Sequence, residues 1–235
     1  MPPADKEGPD RSALLGVLET AREAGFLGSG PVERHLQHAQ GFTDLVRAEM
    51  GTGVARLVDL GSGGGLPGLV IATDWPTVTL VLLEANQRRA EFLDQAIRTC
   101  GLEGRVSVVH ERAEICGRNP LYRANFEGVV ARSFGSPAVV AECAAPFLRV
   151  GGWLIVSEPP GEGISEPLSA EGAAAQPGER SQGSLRWPAD ELAQLGLEPA
   201  ESVRRDFGYQ ILQQRRLCPE EFPRRNGVPA KRPLF

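Results

Sequence analysis

A chain of 235 residues with 41% hydrophobic and 23% charged residues has the make-up of a soluble globular protein, long enough to bury a sizeable core without staples. Its formal charge of −5 argues against a general nucleic-acid binder, and no apolar run approaches the ~20 residues that span a bilayer. The four cysteines, Cys100, Cys116, Cys143 and Cys218, form no C-x-x-C pair, so neither a disulfide framework nor a cysteine metal site is expected.

Residues 1–10 are rich in Pro, Gly and charge and lack the apolar stretch of a secretory signal. They are expected to be disordered, in a cytoplasmic protein with reduced thiols. From Ser12 the apolar spacing turns helical through Leu14, Leu15, Leu18, Ala21 and Ala24, and stops at Gly25. A second helix starts at Pro31 and carries Val32, Leu36, Phe42, Leu45 and Val46, with a bend expected at Gly41. His35 and His38 stand three apart on it, where a metal pair is geometrically conceivable, but the spacing suggests no third ligand and no metal is expected. Strands are then read at 55–60, 77–84, 105–110, 126–131 and 152–157, with amphipathic helical stretches at 86–100 and 136–148. Strands separated by helices mark βαβ units and a mostly parallel sheet. The stretch 158–184 is Pro, Gly, Glu, Ser and Ala with almost no large apolar residue, and reads as a mobile loop. A short helix at 188–195 precedes an antiparallel pair, 198–206 and 209–217, that turns at Phe207-Gly208. One domain over 11–218 is expected, with two N-terminal helices in 11–50, followed by a tail at 219–235.

That end of the chain is basic. From Arg204 to Phe235 stand eight basic and three acidic residues, a net +5, which leaves −10 for the rest. Such asymmetry suits contact with phosphates, and Arg215, Arg216, Arg224, Arg225, Lys231 and Arg232 would supply it. The alternative is a tail packed on the core through Phe222, Leu234 and Phe235. Under the first reading a cofactor site far off in sequence would be indifferent to the tail.

The strongest local motif is Val58-Asp-Leu-Gly-Ser-Gly-Gly-Gly-Leu-Pro-Gly68, between a predicted strand and a predicted helix. Glycines there permit a tight turn and let a ligand approach the backbone. A G-x-G-x-x-G match at Gly63, Gly65 and Gly68 hints at a dinucleotide, but so glycine-rich a stretch gives that match by chance. The better frame is Asp59, Gly61, Gly63 and Gly65, which resembles the glycine loop of class I S-adenosylmethionine (AdoMet) methyltransferases. Glu84, at the tip of the second strand, can accept hydrogen bonds from both ribose hydroxyls of either cofactor. Ligand charge favours AdoMet, a sulfonium without phosphates that tolerates acids such as Asp59 beside the loop.

Reading outward, Asp59-Leu-Gly-Ser-Gly-Gly-Gly-Leu66-Pro-Gly68 resembles the D-[IVL]-G-[ST]-G-x-G-[FL]-P-G stretch of the RsmG (GidB) family, the 16S ribosomal RNA guanine-N7 methyltransferases. Glu84-x-x-x-Arg88-Arg89-x-x-Phe92-Leu93 is similar to that family's segment after the second strand. Arg112-Ala113-Glu114 resembles its acidic turn beside the adenine, and Ala131-Arg132-Ser133-Phe134 its motif after the fourth strand. The stretch from Phe222 to Leu234 resembles its C-terminal Y-P-R-x-x-G-x-P-x-K-x-P-L. The resemblance implies a class I, Rossmann-like methyltransferase fold with an antiparallel C-terminal strand pair. It implies AdoMet held by Asp59, Gly61, Gly63, Gly65, Leu66, Glu84, Ala113, Glu114 and Arg132. RNA would be met by His35, Arg88, Arg132, Arg224, Arg225 and Lys231, in 16S RNA or the small ribosomal subunit, by a monomer with no membrane partner. No general base is expected, because guanine N7 carries a free lone pair and the work is orientation.

The chain also departs from the family pattern. Arg34-His35-Leu36-Gln37-His38-Ala39 keeps the Arg and His of the N-terminal motif but not its Asp and Ser, and the asparagine motif before it is absent. Glu158 stands near the place of a family lysine, and the chain has only two lysines, Lys6 and Lys231. These departures concern the substrate more than the cofactor. Two other readings therefore stand beside RNA methylation: transfer to a different or small-molecule substrate, and a non-catalytic AdoMet-binding, ribosome-associated protein.

Overall fold

Apolar runs such as Leu57–Leu60 and Leu80–Leu83 leave no polar face, so they are stable only inside a sheet covered on both sides. The computed structural model describes residues 11–159, 186–204 and 206–235 and places both runs there. Seven strands, β1 (Ala55–Leu60), β2 (Val78–Glu84), β3 (Val106–His110), β4 (Phe126–Ala131), β5 (Leu148–Glu158), β6 (Leu197–Arg204) and β7 (Gly208–Gln214), lie in the order β3-β2-β1-β4-β5-β7-β6. The first five pair in parallel, and β7 enters antiparallel between β5 and β6. This is the Rossmann-like sheet with an antiparallel C-terminal pair that the resemblance implies.

Side chains alternate between the two faces of each strand. Leu57, Leu80 and Ile211 join the layer formed by α1 (Arg11–Glu23), α2 (Val32–Met50), α3 (Gly68–Asp74) and α4 (Gln87–Thr99). Val58, Leu83 and Leu212 join the layer of α5 (Ala113–Cys116), α6 (Pro137–Ala144) and α7 (Ala189–Ala193). All four cysteines are buried as free thiols. Among the described residues no helix is long and apolar enough to cross a membrane.

Three expectations change. Helix α2 runs unbroken through Gly41. That glycine is instead a point of close approach, because a Cβ there would collide with the Tyr209 hydroxyl, which donates to His38 O at 2.8 Å. Helix α6 ends at Ala144 and gives way to a 3-10 turn over Ala145–Phe147, as Pro146 cannot donate to an α-helical ladder. Strand β5 begins at Leu148, four residues before the predicted start. The Gly151-Gly152 pair that masks its onset in sequence sits beside a register shift against β4, with Gly151 at φ 82°.

The last residues are no free appendage. Phe222 is buried and Leu234 packs on the second layer, and a short helix α8 (Val228–Lys231) lies against α6. The expectations for residues 1–10 and for the mobile loop, apart from Glu158 and Pro159, fall outside the described residues.

Candidate functional site

In an open sheet, ligands bind beyond the carboxyl ends of the strands where the chain changes direction of winding. Here that place is the end of β1, flanked by β2 on one side and β4 on the other. The glycine loop leaves β1 there. Gly61 N and Ser62 N donate to Leu83 O at 2.8 and 3.1 Å, and Gly65 N donates to Ser62 O at 2.7 Å. Gly61, Gly63 and Gly65 have φ of 72°, 55° and 94°, values that side chains with a Cβ rarely adopt.

Two carboxylates hold this loop. Asp59 is buried, and its Oδ2 accepts from Gly68 N at 2.9 Å. Its Oδ1 has no partner, and burial pushes the carboxyl up to about 7 against the pull of Gly68, Ser62 and Arg132. Glu84 Oε2 accepts from Gly63 N at 2.9 Å, and Oε1 accepts from Asn86 N at 2.8 Å. Each oxygen of a carboxylate has about two lone-pair sites, so both retain one for a further donor.

A cavity of about 180 Å³ opens beside them, with Gly61, Glu84, Arg89, Ala113, Ser133 and Phe134 in its wall. Gly61, Glu84 and Ala113 were singled out in sequence, and the structure brings them to one cavity. Leu66 is buried in the first core layer. Arg89, Ser133 and Phe134 stood inside the quoted motifs without a role. Ser133 takes φ 56°, and the Phe134 ring lies so close over Gly61 that a Cβ there would stand 2.6 Å from it. Phe26 and Leu27 went unnoticed altogether. They lie between α1 and α2, and a Cβ on Gly64 would come within 2.7 Å of Leu27. Phe26 packs edge-on against Phe92 at 5.4 Å, beneath the Arg89 guanidinium at 5.8 Å. No periodicity announces a loop residue that covers a distant turn.

His35 was expected to meet RNA, and its geometry says otherwise. The ring is buried, and Arg132 Nη2 donates to its Nδ1 at 2.6 Å. Its one proton therefore sits on Nε2, which donates to Gly28 O at 3.0 Å. His35 ties the cover of the glycine loop to the end of β4 and has no nitrogen left for a substrate. Arg132 is half-buried, and burial lowers its guanidinium while Asp59 and Tyr209 oppose that.

His38, one turn on, stacks on Phe207 at 4.5 Å and has an unpartnered Nε2. Burial pushes the ring down to about 4, and Arg132, His35 and Arg34 add to the effect. The unfolded ring titrates near 6.5, so its contribution to stability is complete above that pH and is lost as pH falls toward about 4. Asp59, raised to about 7 from 3.8, runs in the opposite sense over the same window. The check is therefore a difference: His38→Phe, which keeps a stacked ring and cannot titrate, should lose less stability than the parent in urea melts between these two pH values. Parallel curves would dismiss the assignment.

Two further expectations are corrected. Glu114 was to face the adenine, but its Oε1 accepts from Arg112 Nη2 at 3.0 Å and from Gly227 N at 2.8 Å. Its carboxylate is held by the C-terminal segment, and the shift of this carboxyl is downward: Arg112 and the Gly227 amide outweigh burial. Arg224 was to meet phosphate, but it closes a two-pronged ion pair on the fully buried Glu142, at 2.9 and 2.6 Å. Of the other tail cations, Arg215 pairs with Glu198 and Arg216 donates to Ala193 O. Arg88, Arg225, Lys231 and Arg232 are exposed. Glu158, which replaces a family lysine, is buried against Arg186 Nε at 2.9 Å and Trp187 Nε1 at 2.8 Å. Its charge is answered within the chain.

Known proteins place this geometry. Two solved structures share the fold: a putative O-methyltransferase from Klebsiella pneumoniae (19% identity, 88% of this chain and 92% of that one, TM-score 0.61) and an O-methyltransferase from Bacillus cereus in complex with SAH (17% identity, 88% and 92%, TM-score 0.59). A protein of Rubrobacter xylanophilus described as ribosomal RNA small subunit methyltransferase G is 37% identical over 219 residues, 93% of this chain and 80% of that one. A family profile described as rRNA small subunit methyltransferase G matches residues 32–158, from the helix that bears His35 to the end of β5, and the chain belongs to that family.

Proposed function

We propose that the protein transfers a methyl group from AdoMet to N7 of a guanine in 16S ribosomal RNA. The observation that carries the cofactor is the bond from Gly63 N to Glu84. In a dinucleotide site the loop amides meet a pyrophosphate, whereas here one of them already holds a carboxylate. The negative charge beside the loop repels a pyrophosphate and suits a ligand that bears a sulfonium and an ammonium. The crevice fits such a ligand: Glu84 keeps lone pairs for two ribose hydroxyls, Ala113 offers an apolar wall, and the orphaned Asp59 Oδ1 awaits a donor.

AdoMet, when bound, supplies an electrophilic methyl group on a positively charged sulfur. The remaining work is positional, since N7 attacks with its own lone pair and no proton need move first. Arg132, fixed by His35 at the end of β4, and Phe134, over Gly61, orient what enters the crevice and exclude water. A small-molecule substrate is less well supported, because Glu158 leaves no bare charge to repel phosphate. The protein would act as a monomer in the cytoplasm, on the small subunit or its RNA.

The test is transfer of labelled methyl from AdoMet to small-subunit RNA, read by nucleoside mass spectrometry. It should yield 7-methylguanosine at one position, and absence of label in RNA with retained AdoMet binding would refute the substrate. Arg88, Arg225 and Lys231 are the exposed cations left for phosphate. Arg225→Ala with Lys231→Ala should flatten the logarithmic salt dependence of RNA affinity by up to about 1.4, at about 0.7 per single-strand phosphate contact. An unchanged slope would remove these two residues from the RNA surface.

A further inference from the structure

Helix α5 has four residues, too few to hold its own shape. Its first residue, Ala113, lines the cofactor crevice with Glu84. The fastenings of this short wall come from the far end of the chain. Gly227 N donates to Glu114 Oε1 at 2.8 Å, the oxygen that Arg112 also uses. Arg123 Nη1 donates to Gly117 O, at the end of α5, and to Phe222 O, at 3.0 and 2.8 Å. Its Nη2 donates to Cys218 O and Pro219 O, both at 2.8 Å. Arg118 donates to Glu221 O at 2.9 Å. Pro223 presses on Gly117, where a Cβ would stand 3.4 Å from its ring.

We propose that residues 218–227 are the outer brace of the cofactor site, with the Gly227 amide and Glu114 as positioning groups that hold Ala113 against the nucleoside. The inference rests on AdoMet as the ligand of this crevice. Glu114 is 5% exposed, and without Gly227 its buried oxygen loses one of two donors. Such a carboxylate turns toward water, and it carries the adjoining Ala113 with it. The coupling is reciprocal: a ligand that packs on Ala113 must in turn order the segment. This overturns the expectation that the cofactor site is indifferent to the tail.

The experiment is a chain ended at Arg225. It keeps the Arg224–Glu142 pair and every Arg123 bond, and it loses Gly227. S-adenosylhomocysteine should bind about tenfold more weakly by calorimetry, the worth of one hydrogen bond to a charged group. KM for AdoMet should rise to match, with kcat at saturation nearly unchanged. A role in stability alone would lower the melting temperature and leave KM where it was. Hydrogen exchange on the full chain gives a second reading: saturating S-adenosylhomocysteine should slow the amides of 111–118 and of 219–230 together. Equal affinity in the two chains, or a tail whose exchange ignores the ligand, overturns the brace and leaves the methyltransferase reading intact. Failure of the full chain to bind S-adenosylhomocysteine overturns both.

Discussion

Replacing Gly63 with valine is expected to abolish AdoMet binding and leave the fold standing. Gly63 lies at φ 55°, a region that a β-branched residue enters only with strain of about 1–3 kcal/mol. Nothing crowds its Cβ direction, where the nearest atoms are the carbonyl oxygens of Gly61 and Phe26 at 3.8 Å. The chain can therefore bear the substitution, with a fall in melting temperature of about 5 °C. The space that the isopropyl group enters lies between the loop and its Phe26 cover. Its amide is also the one that Glu84 holds, so a displaced loop takes the ribose acceptor with it. Titration with S-adenosylhomocysteine should show at least a hundredfold loss of affinity, about 2.7 kcal/mol or more. Retained binding with an intact fold would mean that the loop is not the cofactor cradle.

Arg224→Ala is expected to be the most damaging surface-accessible substitution for stability. Glu142 is completely buried, and the side chain of Arg224 satisfies both of its oxygens. Burial of a charge without its partner costs about 3–5 kcal/mol, a drop of about 10 °C for a chain of this size. One bond, from Arg224 N to Oε1 at 2.8 Å, survives the substitution and sets the lower end of that range. The double replacement Glu142→Gln with Arg224→Met removes both charges and should recover most of the loss. Denaturant unfolding of the four chains closes the cycle. Additive effects would show that the two residues do not act as a pair, and Arg224 would again be available to RNA.

The order of elements was legible because it rests on local chemistry. The runs at 55–60 and 126–131 are apolar on both faces, and only central parallel strands accept such segments. The glycine loop was legible because positive φ at Gly61, Gly63 and Gly65 has one inexpensive residue. Glu84 followed from its place at the tip of the neighbouring strand. What the sequence by itself determined was therefore the sheet, the loop and the ligand class they suit.

The partner of each charge was decided by tertiary structure alone. A histidine beside an arginine motif reads as a substrate contact, yet His35 is spent on Arg132 and Gly28, 97 and 7 residues away. Glu114 and Gly227 stand 113 residues apart and share one hydrogen bond. A basic tail reads as a phosphate arm until Glu142, on another helix, is seen to bind its first arginine. A periodic pattern records which face of an element is buried, since burial repeats with the geometry of the backbone. An ion pair between distant residues leaves no period. It depends on how far two side chains reach across a packed interface, and that distance exists only once the chain has folded.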